Sequence, residues 1–427
     1  MTNLRQALRT LHPDVYRYLF AMGIVGFSYF GFVSVLLNLY LLRLGYGTDY
    51  IGLVNGGIAL AFAACSLPAG AIGGRLGMRR TAAIGMALVA AGMTLVPVAG
   101  TILSGTPRDV GIIAMRVLSG MGFACYIVNA YPYMVAATGP RERTYAFAFM
   151  SALPPLTGFA GSIVSGVLPG WIAPLLGRDL SHPEPFAVAL ILAGVVLLPT
   201  VPAVARTSDR EPAGRGSPRA ETIRSSPGGG GRSAEGALYA LIFVLAFTAL
   251  LRSAGEGAAR TFINVYLEVD LTASPARIGV LLAIGTVAAG PAALIAPALA
   301  ARAGKVPVIV VTGLLTAAGM VILATVPHWA AAGLGFTLVV GLRSITQSVS
   351  AVLHMEIVPA SRRTVTSGVM AMSMGMGFMT ISFAGGYLVP ALGFPGFYHL
   401  ATAITVVSAL IFWLYFRIPR GEYQARP

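Results

Sequence analysis

Five charged residues lie where an otherwise apolar chain should carry none: Arg116, Arg252, Glu256, Arg260 and Arg343. Arg252, Glu256 and Arg260 fall four apart in LLRSAGEGAARTF, so a helix sets all three on one face. A carboxylate between two guanidiniums can be a fixed ion pair holding helices together. It can also be a group that takes up a proton or binds substrate, and both readings stay open. Arg116 and Arg343 could converge on an anion, which the planar guanidinium holds bidentately. They could equally bond backbone carbonyls or pair with Glu256. Hydrocarbon makes every one of these charges costly, so they are expected to face a protein interior or a water-filled cavity.

The elements that must position them follow from composition. The chain has 427 residues, 56% apolar and 10% charged, whereas a soluble domain carries roughly 25% charged residues. Twelve apolar segments are long enough to cross ~30 Å of hydrocarbon. They run at about 16–44, 48–73, 80–102, 109–137, 143–175, 185–206, 237–268, 274–300, 304–326, 328–357, 363–392 and 395–418. Lipid offers free backbone groups no partner, so segments of this length are helices. The expected fold is an all-α integral membrane protein of twelve transmembrane helices in two six-helix bundles.

Between the sixth and seventh segments lies RTSDREPAGRGSPRAETIRSSPGGGGRSAEG, rich in Gly, Ser, Pro and Arg. Such a stretch cannot bury enough apolar surface to fold alone and reads as a flexible linker. The expected organisation is a first bundle over 1–205, a linker over 206–236 and a second bundle over 237–427. With the N-terminus placed in the cytoplasm, the inner segments hold twenty-one Lys and Arg residues. The outer loops hold only Arg43, Arg108, Arg178 and Arg277. That bias puts both termini and the linker on the cytoplasmic side of the cell membrane.

The halves repeat each other. NLYL at 38–41 answers NVYL at 264–267, and Ile51-Gly52 answers Ile278-Gly279. Gly52 to Gly74 and Gly279 to Ala301 are both 22 residues; Gly74 to Arg116 and Ala301 to Arg343 are both 42. GGRLG at 73–77 answers AARAG at 300–304. Duplicated halves with a site at their interface are a recurring transporter plan. Glu256 has no acidic counterpart: counting back from the two matches lands on Phe30 or on Tyr29.

These features carry a resemblance. In GAIGGRLGMRR, Gly70, Gly74, Gly77, Arg79 and Arg80 resemble the loop signature of the major facilitator superfamily, with Gly74 where the family has Asp. RVLSGMG from Arg116 resembles its second signature. The resemblance spans essentially the whole chain. It implies a secondary transporter and a loop that latches the halves together. Its basic positions here are Arg75, Arg79 and Arg80, and in the second copy Arg302 and Lys305 around Gly304. Without an acid at 74 or 301 the latch is expected to be weaker, by about 1–2 kcal/mol per lost charged contact. The resemblance also implies that the first, fourth, seventh and tenth spans line a central cavity. That makes Tyr29, Asn38, Asn264, Tyr126, Asn129 and Gln347 cavity candidates beside Arg116 and Arg343. Asn38 and Asn264 could instead gate the outer mouth or simply pack. The Gly–Pro signature of drug antiporters is not met in ALPPLTGFAGSIVSG.

Two substrate readings follow. One is proton-coupled efflux of amphiphilic compounds with Glu256 titrating; the other is transport of an organic anion held by the arginines. His12, His182, His328, His354 and His399 are scattered, and no metal cluster, nucleophile constellation or phosphate loop is present. No enzyme, metal or cofactor is therefore expected. Cys65 and Cys125 read as buried free thiols. The expected partners are a small-molecule substrate, the lipid bilayer and a coupling proton, with no nucleic acid and a monomeric state.

Overall fold

The computed structural model describes residues 12–209, 232–358 and 363–417. Among these, every regular element is a helix. The first bundle holds α1 (Pro13–Arg43), α2 (Thr48–Leu76), α3 (Met78–Ile102), α4 (Gly105–Ala137), α5 (Pro140–Leu175) and α6 (Glu184–Ala205). The second holds α7 (Arg232–Val269), α8 (Pro275–Ala303), α9 (Lys305–Thr325) and α10 (Trp329–Ile357). It ends in one long helical run, Arg363–Arg417, whose backbone breaks at Gly393 with φ 67° and ψ 169°. The break separates α11 (363–392) from α12 (394–417), each long enough to span at 1.5 Å per residue. Twelve crossings thus lie among the described residues. Most of the linker, 210–231, lies outside them. Helix α7 begins at Arg232, five residues before the expected span.

Helix α1 is interrupted by a π-helical turn, Gly26–Phe32. A π turn accommodates one extra residue within a helix. The two repeat matches disagree by one position because the second bundle has one more residue between them, eleven from Leu267 to Ile278 against ten from Leu41 to Ile51. The π insertion restores the count upstream of Asn38: Tyr29 to Asn38 is nine residues and Glu256 to Asn264 is eight, so Tyr29 stands opposite Glu256.

The bundles meet along two seams, α2 with α11 and α5 with α8. At the face carrying the end of α1, the backbones touch. A Cβ on Gly52 would lie 2.5 Å from the Ser382 carbonyl oxygen, and one on Gly279 would lie 2.5 Å from that of Ser162. Each glycine faces another, Gly386 and Gly166, so both seams are the small-residue contacts by which membrane helices approach closely. Nearer the middle the seams slacken. A Cβ on Gly375 would sit 3.3 Å from Ala63, and one on Gly158 would sit 3.8 Å from Thr286. Toward the N-terminal face the same helices part: Leu67 of α2 and Leu294 of α8 are 77% and 82% exposed. The molecule is a wedge, shut at one face and open at the other.

Two motif glycines have a backbone reason to exist. Gly77 (φ 91°, ψ 142°) and Gly304 (φ 83°, ψ 157°) turn α2 into α3 and α8 into α9. Residues with a side chain reach that region only at a cost of about 1–3 kcal/mol.

Gly52→Ala is therefore expected to wedge the closed seam apart, costing about 1–3 kcal/mol. The protein should melt earlier, and a thiol reagent added from the closed side should label a cysteine placed at Asn55. Unchanged melting and labelling would show that the seam tolerates the methyl.

Candidate functional site

Helix α7 brings Glu256 to the middle of the molecule, where it is 3% exposed. Its Oε2 lies 3.1 Å from Nε of Arg343 on α10. Arg252 and Arg260 stand one helical turn to either side, within electrostatic reach of both partners. Neither has an ion-pair partner among the described residues. Arg260 and Gln347 are exposed, and the Arg343 side chain is partly so at 23%. Gln347 is one turn beyond Arg343 and shares its face. Helices α7 and α10 thus present a cationic wall with one acid set into it. GEG keeps α7 helical while letting neighbours close on it: Gly255 packs against Thr405 and Ala401, Gly257 against Phe378 and Ile381.

The first bundle answers differently. The Arg116 guanidinium carbon lies 5.8 Å from the centroid of the Tyr29 ring, a cation–π contact. Arg116 is 6% exposed, and its Nε is buried without a hydrogen-bond partner. It borders a small void lined by Val33, Leu37, Met93, Val96 and Leu190, inside its own bundle. Residues 29 and 116 stand 227 positions before 256 and 343. The contact Arg116–Tyr29 is therefore the repeat counterpart of Arg343–Glu256, and it settles the ambiguous count on Tyr29. The two arginines do not converge: Arg343 faces the cavity and Arg116 is drawn behind a tyrosine.

Asn38 and Asn264 join α1 to α7 at the closed face and are buried rather than on the cavity wall. Asn38 Nδ2 donates to Asn264 Oδ1 (2.9 Å) and to the Thr261 carbonyl (2.7 Å). Asn264 Nδ2 donates back to the Ser34 carbonyl (3.0 Å), and Asn55 Nδ2 donates to Asn38 Oδ1 (2.9 Å). Beyond them Arg43 forms an ion pair with Glu268 and donates to the Leu180 carbonyl. The neighbouring Tyr46 hydroxyl bonds Asp109 and accepts from Arg108. Burial, then the bond to Asp109, pushes that phenol up, so it remains a donor.

Tyr126 and Asn129 also lie off the cavity. Tyr126 is fully buried, stacked 6.4 Å from Tyr18. Asn129 donates to the Ala69 carbonyl and fills the space that a side chain on Gly73 would need. In the loop signature, Arg79 donates to the Thr207 carbonyl and pairs with Asp209 at the end of α6. Lys305 pairs with Glu356 of α10. Both bridges stay within one bundle; Gly70, Arg75, Arg80 and Arg302 are exposed and Gly74 is half-buried. Sequence reading missed Asp209, which sits in the polar linker, and Glu268, the last residue of the seventh apolar segment. It also missed Asp14, buried and held by Arg17, Tyr133 and the Ser208 amide.

A helical membrane protein of two repeated bundles, with a charged midplane open to one face, is a carrier working by alternating access. Residues 18–251 and 245–426 match the family model of the Major Facilitator Superfamily, and the chain belongs to that family. It is a secondary transporter and not an enzyme. No curated protein matches the chain. Among solved structures it is similar to a bacterial homologue of the human lysosomal transporter Spinster in an inward-facing, occupied conformation. That match has TM-score 0.73 and 13% identity, over 94% of this chain and 96% of that one. It is also similar to the nucleoside transporter NupG (TM-score 0.69, 13% identity, 95% and 100%). A third is the inward-open xylose transporter XylE from E. coli (TM-score 0.67, 16% identity, 96% and 96%). At such identities the likeness is one of fold.

Removing one partner of a buried ion pair strands the other. Arg343→Met is expected to destabilise the protein by about 3 kcal/mol, and the double variant with Glu256→Gln should recover part of it. A double-mutant cycle on denaturation midpoints checks this, and strict additivity would show that the pair is not coupled. Asp209→Ala, at a carboxylate two-thirds exposed to solvent, should cost under about 1 kcal/mol by the same measurement.

Proposed function

We propose that the protein carries a small organic anion across the cell membrane, with both termini cytoplasmic and the structure in an inward-open state. The orientation rests on the arginine asymmetry of the loops. The substrate reading rests on one observation: three arginines surround a single glutamate at the cavity, and that glutamate is already engaged by Arg343. A low-dielectric site carrying surplus positive charge favours an anionic guest. The guest would lie against Arg260 and compete with Glu256 for the Arg343 guanidinium. The bundles would then rock about the α2–α11 and α5–α8 seams, parting the Asn38–Asn264 contact and closing the cytoplasmic face.

Proton-coupled export of amphiphilic compounds is a second reading. It is supported by the position of Glu256 at the cavity depth, where release from Arg343 would free the carboxylate to bind a proton. Lipophilic cations fit it poorly, because they would enter beside two arginines that have no ion-pair partner among the described residues.

Purified protein should melt later in the presence of organic carboxylates and not of lipophilic cations. A ligand at 100 times its dissociation constant adds about 2.7 kcal/mol. Arg260→Gln should abolish the shift, and Arg343→Lys, which keeps charge but loses the fork, should reduce it. Stabilisation by lipophilic cations alone, removed by Glu256→Gln, would replace the anion reading with the efflux reading.

A further inference from the structure

Facing the same cavity from the first bundle is a cluster of rings. Tyr29 of α1 and Phe123 of α4 stack with centroids 4.9 Å apart and planes 10° from parallel. Phe30 meets Tyr29 edge-on at 5.4 Å and Phe123 edge-on at 5.9 Å. Phe62 of α2 tilts against Phe123 at 5.7 Å. Phe30 is exposed, and the other three are half-buried. Tyr29 and Glu256 lie nine and eight residues below the Asn38–Asn264 bond, so both sit about 12 Å beneath the closed seam. The rings and the arginines therefore occupy one depth of one opening, on opposite bundles.

The repeated fold does not demand these rings. At the positions 227 further on, the second bundle has Glu256, Gly257, Ala289 and Ser350, none aromatic. Two helix bundles of the same plan have thus been given opposite walls, one cationic and one aromatic. The aromatic wall offers no cationic donor to an acid group, since Arg116 is buried behind Tyr29. What it offers is flat π surface, on which a second ring packs in stacked or edge-on geometry.

Building on the anion reading above, we propose that the substrate is a planar aromatic anion. Its acid group lies against Arg260 and Arg343, and its ring packs on Phe30, Phe62 and Phe123. An aromatic contact of this kind is worth roughly two- to ten-fold in affinity beyond the area it buries. The rings then set specificity, and the arginines set the requirement for charge.

The test is titration calorimetry of the full chain in nanodiscs with 2-naphthoate, benzoate, cyclohexanecarboxylate and benzamide. The aryl carboxylates should bind roughly two- to ten-fold tighter than cyclohexanecarboxylate, and benzamide, which lacks charge, should not bind. Phe123→Leu and Phe30→Leu should each bring naphthoate down to the cyclohexanecarboxylate level while leaving the latter unchanged. Equal affinity for naphthoate and cyclohexanecarboxylate in the unmodified protein would overturn the aromatic preference and leave the anion reading standing. So would an equal loss for both ligands in the leucine variants, with Phe62→Leu as the further variant should either fail to fold. If none of the carboxylates binds, the anion reading falls as well.

Discussion

A charge carried into hydrocarbon must be answered, by an opposite charge, a ring face or water, and this chain concentrates that demand at one depth. Glu256 is answered by Arg343 across α7 and α10. Arg116 is answered by the face of Tyr29. Arg252, half-buried, and Arg260, exposed, have no ion-pair partner among the described residues. The rest of the architecture keeps that layer reachable from one face only: glycine seams and asparagine bonds shut one end, and diverging helices open the other. The wedge is a consequence of where the bundles' backbones touch, and at the seams Gly52, Gly386, Gly166 and Gly279 allow that contact.

Duplication and divergence then act on the same frame. Equivalent positions hold an ion pair in one bundle and a cation–π contact in the other. The repeat provides two rigid bodies with matching seams, which is what a rocking motion needs. The departure from the repeat provides chemistry, a cationic wall opposite an aromatic one. The π turn of α1 belongs to this departure, since it inserts a residue beside Tyr29 and so changes how that helix presents its rings.

Much of this was legible in the sequence, for identifiable reasons. Span positions follow from apolar run length, and the helices lie close to where hydropathy put them. The repeat, read from a few residues and two shared spacings, named Gly52 and Gly279, one glycine of each seam, but not the Gly386 and Gly166 that face them. The wall formed by Glu256 and Arg343 was foreshadowed by their being charges within spans. What stayed hidden depended on direction about a helix axis, which a chain that is apolar all round does not encode. That is why Asn38, Asn264, Tyr126 and Asn129, cavity candidates by span, prove to be buried between helices. It is also why Phe62 and Phe123 drew no notice among so many other apolar residues. The Phe30–Tyr29 ambiguity, set up by one extra residue between the repeat matches of the second bundle, could not be resolved from spacing, because the π turn that resolves it has no sequence signature of its own.

On the proposed function, binding at the charged layer closes the open face. Spin labels on Leu156→Cys of α5 and Leu294→Cys of α8, in a background carrying Cys65→Ser and Cys125→Ser, report the width of that opening by electron–electron distance measurement. A saturating aryl carboxylate should shift the population toward shorter distances, while a label pair across the Gly52–Gly386 seam moves apart. An unchanged distribution at both faces, with binding confirmed in the same sample, would contradict the account: the site would bind without driving the bundles.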